Sequence, residues 1–306
     1  MMRNIRFSKF LLIGGICMLM FHSCNTCSRQ QTIENITIDL ADLAIDLTYV
    51  DMAQKVFYVL PTPIEMSMLI KNLGVGYQPD LLNDPSNASK YLIHQKMALN
   101  FGVYVTDLTY AGLFEQSQTV LRYKRAIQQL TEGLGLQSAL DLNTLQLLEA
   151  NINDKDAVLR IIADTYASCT ASLNENDRYS LTLAILAGGW IEGMYIATRK
   201  VDEKLPINDS RVKQLVVDLQ LTFDILWQAM SDLKDLPEVA GMMNDMLELS
   251  LLLNEINIYY SPSEVKVAAD GKTSHLASSN STNVSPETFA KIKNQIQILR
   301  QNITKI

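Results

Sequence analysis

The chain has 306 residues, a formal net charge of −7 and 48% hydrophobic residues, enough for one large or two ordinary domains with a sizeable core. Mean hydropathy lies near zero, and an acidic balance without a basic block argues against nucleic acid as a partner. Arg122, Lys124 and Arg125 form only a short basic spot, read as a solvated helix face.

The N-terminus has the layout of an export signal. Arg3, Arg6 and Lys9 supply a basic region, and Phe10 to Phe21 an apolar run too short to span a bilayer. Phe21-His22-Ser23-Cys24 then resembles a bacterial lipobox, with Ser23 as the small residue before a cysteine that becomes diacylated. Phe21 and His22 depart from the usual pair, and a plain secretory signal cut near Ser23 is the alternative. The expected layout is a lipoprotein signal peptide over 1–23, a tether over 24–36 and one helical domain over 37–306. Loss of 1–23 removes three basic residues and no acid, so the mature chain is more acidic still. No acidic run follows Cys24, which favours a cell-envelope lipoprotein of the outer membrane facing the periplasm.

Of the cysteines beyond Cys24, Cys27 and Cys169 carry no disulfide signature, and Cys169 reads as a buried thiol. Only His94 and His275 survive maturation, which excludes a centre with three or more histidines. Asp39, Asp42 and Asp46 fall on one face of a predicted helix within Thr37–Leu60. They lack the glycine and closing glutamate of a calcium loop.

Pro61-Thr62-Pro63-Ile64-Glu65 is a helix start with a capping box and proline at the first turn. That helix stops at Gly74-Val75-Gly76, and Tyr77–Ser86 reads as a loop. A long helix is expected from about Asn87, apolar on every side between Met97 and Phe114, which marks it as central. Asn100, Tyr104, Asp107 and Ala111 share one of its faces. Ser117–Gly133 is its amphipathic partner. Short helices are expected at Ser138–Asp141 and Thr144–Asn151, then a longer one from Asp154 to Leu173.

Arg178–Val201 is the second central helix. Glycine is costly inside a helix, so Gly188, Gly189 and Gly193 need a reason, and Gly189, Gly193 and Ala197 form a smooth stripe for a close neighbour. Two helices with regular apolar seams follow, Val212–Leu233 and Met242–Tyr260, the second opened by Pro237. The polar stretch 261–284 reads as an exposed loop or small hairpin around Asp270-Gly271. Ser285-Pro286 starts a last helix carrying Phe289, Ile292, Ile296, Leu299 and Ile303. The fold class is all-α, a multi-helix bundle or α-α superhelix of roughly eight to ten helices with antiparallel neighbours.

The candidate site lies on the two central helices. Asp107 and Glu192 are lone acids in apolar surroundings, and a buried carboxylate must be paired or hydrogen-bonded. Candidate partners are Asn100, Tyr104, Tyr110, Tyr195, Arg178 and Arg199. Candidate ligand-binding residues are Asn100, Tyr104, Asp107, Tyr110, Trp190, Glu192 and Tyr195, with Cys24 as the lipidation site. No catalytic residue, metal or cofactor is assigned. Three readings stay open: acids that fix packing, a polar cavity for a ligand, or paired carboxylates in acid/base chemistry. No phosphate loop, nucleophile elbow or Glu-x-x-His pair is present.

Asn100-Phe101-Gly102-Val103-Tyr104 with Asp107-Leu108, Leu173-Asn174-Glu175-Asn176-Asp177-Arg178, and Gly188-Gly189-Trp190-Ile191-Glu192-Gly193 resemble an uncharacterised family of all-helical Bacteroidetes lipoproteins. The resemblance covers nearly the whole mature chain. It implies an envelope location and a helical fold, with membrane contact through Cys24 and an unknown envelope protein or small ligand as partner. It carries no activity.

Overall fold

The computed structural model describes residues 61–74, 76–260, 264–267, 274–277 and 280–306. Cys24, the tether, the Thr37–Leu60 helix and Asp270-Gly271 lie outside them. Among the described residues there are nine α-helices: α1 Pro63–Asn72, α2 His94–Leu113, α3 Ser117–Gly133, α4 Leu142–Ala150, α5 Lys155–Glu175, α6 Tyr179–Lys204, α7 Ser210–Asp232, α8 Pro237–Asn254 and α9 Pro286–Thr304. The protein is all-α. Its few strands, β1 Asn257–Tyr260, β2 Glu264–Val267, β3 Ser274–Ala277 and β4 Asn280–Asn283, pair antiparallel as β1 with β4 and β2 with β3. This is the ladder of a hairpin in place of an irregular loop.

Capping chemistry sets the helix starts. Thr62 and Glu65 close the expected capping box on α1, and Asp154, Asp209 and Ser285 cap α5, α7 and α9 through their side chains. Three boundaries differ from the sequence expectation, the first being that the seam read as one helix from Met242 to Tyr260 ends with α8 at Asn254, while Asn257–Tyr260 is strand β1. α2 begins at His94 rather than near Asn87, because Pro85–Lys90 forms a 3-10 turn and Tyr91 is extended, its ring buried. Ser138–Asp141 is a turn, not a helix, because Asp141 turns outward to cap α4, accepting Thr144 N.

The most extensive contact joins α2 to α6, which are far apart in sequence. Short connections do bring successive helices together, α2 with α3 and α7 with α8 among them, but the centre is built by a non-consecutive pair. Glycine makes it possible. A Cβ on Gly102 would stand 2.0 Å from the Ile185 carbonyl oxygen, and one on Gly188 2.0 Å from that of Leu99. The backbones therefore touch, and Thr106 Oγ1 donates to the Gly189 carbonyl at 3.3 Å across the seam. The expected stripe of Gly189, Gly193 and Ala197 is corrected in detail. Gly188 and Gly189 face α2, whereas Gly193 faces Met66 of α1, whose Cε would lie 2.5 Å from an added Cβ.

The seams of the later helices are buried as their spacing requires. Val212, Leu215, Leu219 and Leu226 of α7, Met246, Leu249 and Leu253 of α8, and Ile292, Ile296 and Leu299 of α9 all face the core. Among the described residues one segment, Tyr179–Arg199, is long and apolar enough to cross a membrane, and 94% of its apolar window is buried inside the protein. It is the core helix α6.

Candidate functional site

Asp107 on α2 and Glu192 on α6 meet. Each is 0% exposed, and the two carboxyl groups are close enough for Glu192 to disfavour a charge on Asp107. Glu192 also forms a bidentate pair with Arg300 of α9, Nε to Oε2 at 3.0 Å and an Nη to Oε1 at 3.2 Å. The same guanidinium donates to the Leu81 carbonyl at 3.2 Å and lies over the Tyr195 ring, 4.8 Å from its centroid. Three helices remote in sequence thus each contribute one charged group to a single buried cluster.

The turn before α2 closes it. Asn83, itself buried, donates its backbone N–H to Asp107 Oδ2 at 3.1 Å, and its amide Nδ2 to Tyr91 Oη at 3.2 Å and Asn100 Oδ1 at 3.4 Å. Its carbonyl accepts from Tyr123 Oη at 2.6 Å. Tyr104 Oη donates to the neighbouring Asp84 carbonyl at 2.8 Å. Asn100 Nδ2 reaches α9, donating to the Ile303 carbonyl at 3.0 Å. The face shared by Asn100, Tyr104 and Asp107 is therefore the face that holds residues 83–84 in place.

Asp107 Oδ1 receives no N–H or O–H from any other group. Two buried carboxyl groups this close do not both carry charge when a single guanidinium serves them, and an oxygen without a donor is the poorly solvated one. Arg300 already neutralises Glu192, and the proton belongs to Asp107. Burial, followed by the adjacent Glu192 charge, pushes the Asp107 pKa well above the carboxylate range, against Arg300 and the Asn83 N–H, which pull it down. Burial alone would lower the Arg300 pKa, but Glu192 more than offsets it and holds the guanidinium charged. The phenols of Tyr104 and Tyr123 are raised, first by burial and then by neighbouring charge and phenol groups. The cluster of Arg300, Glu192 and protonated Asp107 is neutral overall, which is how a core tolerates three ionisable groups.

Other predicted residues lie elsewhere. Tyr110 accepts the Gln78 N–H at 3.1 Å and packs against Tyr77 and Phe114. Trp190 turns to α7, donating Nε1 to Thr222 Oγ1 at 2.9 Å against the Phe223 ring. Tyr195 joins the site only as the ring under Arg300 and Arg199. Of the expected partners, Arg178 caps α3 at the Leu134 carbonyl and Arg199 bonds Gln297. Neither reaches an acid. Arg300 and Asn83 were not anticipated. The signal for Arg300 was a guanidinium four residues after Ile296 and next to Leu299, at the edge of the buried face of α9. Asn83 sits in what reads as an ordinary Asn-Asp-Pro turn and gave no signal.

Neither acid lines any of four clefts formed by the described residues. One cleft on the same helices, of about 170 Å³, lies between α2, α6, α8 and α9. Leu99, Ile191, Met242, Met246 and Leu299 form its walls, with Lys96 and Asp245 among its polar residues. The described residues contain no group of three or more His, Cys, Asp or Glu side chains able to hold a metal. No family model, curated protein or solved structure matches this chain, so its site has to be understood from its own geometry.

Proposed function

We propose that this chain is a lipid-anchored, non-catalytic helical protein of the cell envelope, held through Cys24 at the outer membrane facing the periplasm, and that it binds a partner protein or a small ligand. The observation that carries the binding reading is the internal closure of the acid cluster. Both acids are 0% exposed, and they accept hydrogen bonds from Arg300 and from the Asn83 backbone N–H. A general acid or base has to reach its substrate within hydrogen-bond distance. Recognition then falls to the apolar cleft between α2, α6, α8 and α9, whose mixture of apolar walls and a few polar groups suits a small ligand or an inserted side chain.

The rival reading is an envelope enzyme using Asp107 and Glu192 as paired carboxylates, and the observation favouring it is that the two do touch, with one held protonated. Crosslinking of the intact lipoprotein in envelope preparations separates the two. Met246→Trp fills the cleft, and Asp107→Asn removes the titrating acid while keeping the hydrogen bonds. The binding reading expects the crosslinked species to disappear with Met246→Trp and to persist with Asp107→Asn. The reverse pattern, at unchanged melting temperature, transfers the site to the acids. Cys24→Ser, which removes the acyl attachment point, is expected to abolish incorporation of labelled palmitate. Retained label would refute the anchor.

A further inference from the structure

Among the described residues, three of the four most exposed large apolar side chains lie where the start of α2 meets the end of α9: Leu92 at 79%, Ile93 at 67% and Ile306 at 65%. Hydrogen bonds show that they are neighbours. Lys96 Nζ, in the first turn of α2, donates to the carbonyls of Asn302 at 2.6 Å and Lys305 at 3.2 Å, and Tyr91 Oη to that of Thr304 at 3.1 Å. The entry to α2 is thereby fastened to the end of α9, and the protruding aliphatic groups form one apolar tip.

The tip is rimmed by positive charge in an acidic chain. Lys90 precedes it, Lys305 lies within it and Lys96 stands behind it. None of the three enters an ion pair among the described residues. Burial, followed by the nearby Lys305 charge, disfavours the Lys96 ammonium, with Asp245 the opposing acid. Anions would relieve that repulsion.

We infer that this tip is a surface for anionic lipid, with Leu92, Ile93 and Ile306 entering the headgroup layer, Lys90 and Lys305 contacting the phosphates, and Lys96 holding the two helix ends together behind them. Three features favour a bilayer over a protein. The aliphatic groups are exposed and line none of the four clefts described above. Protein interfaces are enriched in aromatic residues and depleted in lysine, and here the aromatic neighbour Tyr91 is buried while lysines dominate the rim. Long lysine stems also lie along an apolar surface with their ammonium groups at phosphate level. The inference goes beyond the acyl anchor, since it concerns which face of the folded domain meets the membrane.

The test places a reporter on the tip of the full chain. Leu92→Trp, with Leu142→Trp as a control at an equally exposed position on α4, is mixed with vesicles of brominated phosphatidylcholine, with or without phosphatidylglycerol. Quenching is expected at position 92 and not at 142, only with phosphatidylglycerol, and weakened by salt. Lys90→Ser and Lys305→Ser should each lower the partitioning by about fivefold, the equivalent of the attraction of one lysine to an anionic surface. Equal quenching at both positions, or quenching that ignores phosphatidylglycerol, overturns the inference. If the acyl anchor itself is absent, position 92 still responds to added vesicles, so the two ideas fail separately. Protection of a Leu92→Cys thiol by the same vesicles provides a second readout independent of tryptophan.

Discussion

At the scale of single residues, the two acids are not equivalent, and the difference can be measured. Glu192 is the bidentate partner of Arg300, whereas Asp107 is the group that burial and its neighbours drive to hold a proton. Asparagine at 107 keeps an oxygen for the Asn83 N–H and offers its own N–H to Glu192, so Asp107→Asn should be close to neutral in stability. Glu192→Gln leaves a buried guanidinium without a counter-charge and should lose about 3–5 kcal/mol, the usual penalty for breaking a buried pair. Urea denaturation of the two variants checks the asymmetry, and equal losses would put the proton elsewhere. The same assignment fixes a pH dependence. The folded pKa of Asp107 is raised above its unfolded value of about 3.9, so its contribution is fully present below that pH and is lost as pH rises toward the folded value. Between pH 5 and pH 8 the wild type should therefore lose stability relative to Asp107→Asn. Parallel pH profiles would refute the buried proton.

At the scale of elements, glycine has two opposite roles, which spacing alone cannot separate. Gly188 meets the backbone of α2 directly, and no side-chain rotation can remove a clash with the Leu99 carbonyl. Gly188→Ala should lose roughly 3 kcal/mol, at the high end for overpacking. Gly241, exposed on α8, has nothing within 4 Å of an added Cβ. Gly241→Ala should gain about 0.5–1 kcal/mol through helix propensity and a stiffer unfolded chain. Thermal melts of the two single variants give opposite signs if the α2–α6 contact is as close as drawn. These helices also show what the sequence could reveal. Caps, prolines and apolar spacing located nearly every helix within a few residues, because those signals are local. The identity of the two central helices was legible as well, since residues apolar on all sides have no solvent face. The pairing of Glu192 with Arg300 was not, because 108 residues separate them and nothing local distinguishes Arg300 from a surface arginine at the edge of a seam. Nor was the role of Asn83, whose backbone N–H does the work and carries no residue signature.

At the scale of the whole molecule, the question is whether α9 is an integral part of the core or a helix that can leave it. The described residues belong to one compact unit, and α9 is tied to it by Arg300 at Glu192, by Asn100 at the Ile303 carbonyl and by Lys96 at its last turn. If α9 undocked alone, Glu192 would be left beside a protonated acid in a gap open to water. If it leaves only when the core opens, the unit is cooperative. Cys169 can decide this. It is a free thiol on α5, 0% exposed, and burial pushes its pKa up to about 12, so it reacts only when the core around it opens. Arg300→Met breaks the tie at Glu192 and should cost about 3 kcal/mol. In a cooperative unit, labelling of Cys169 by a maleimide should then accelerate by the same free energy, roughly a hundredfold when opening is fast relative to reaction. Peptide mapping by mass spectrometry reads Cys169 separately from the other cysteines. Full acceleration makes α9 part of a single folding unit whose stability the buried charge cluster sets. Unchanged labelling, with stability still lost, would make α9 a detachable helix and confine the influence of Arg300 to its own docking.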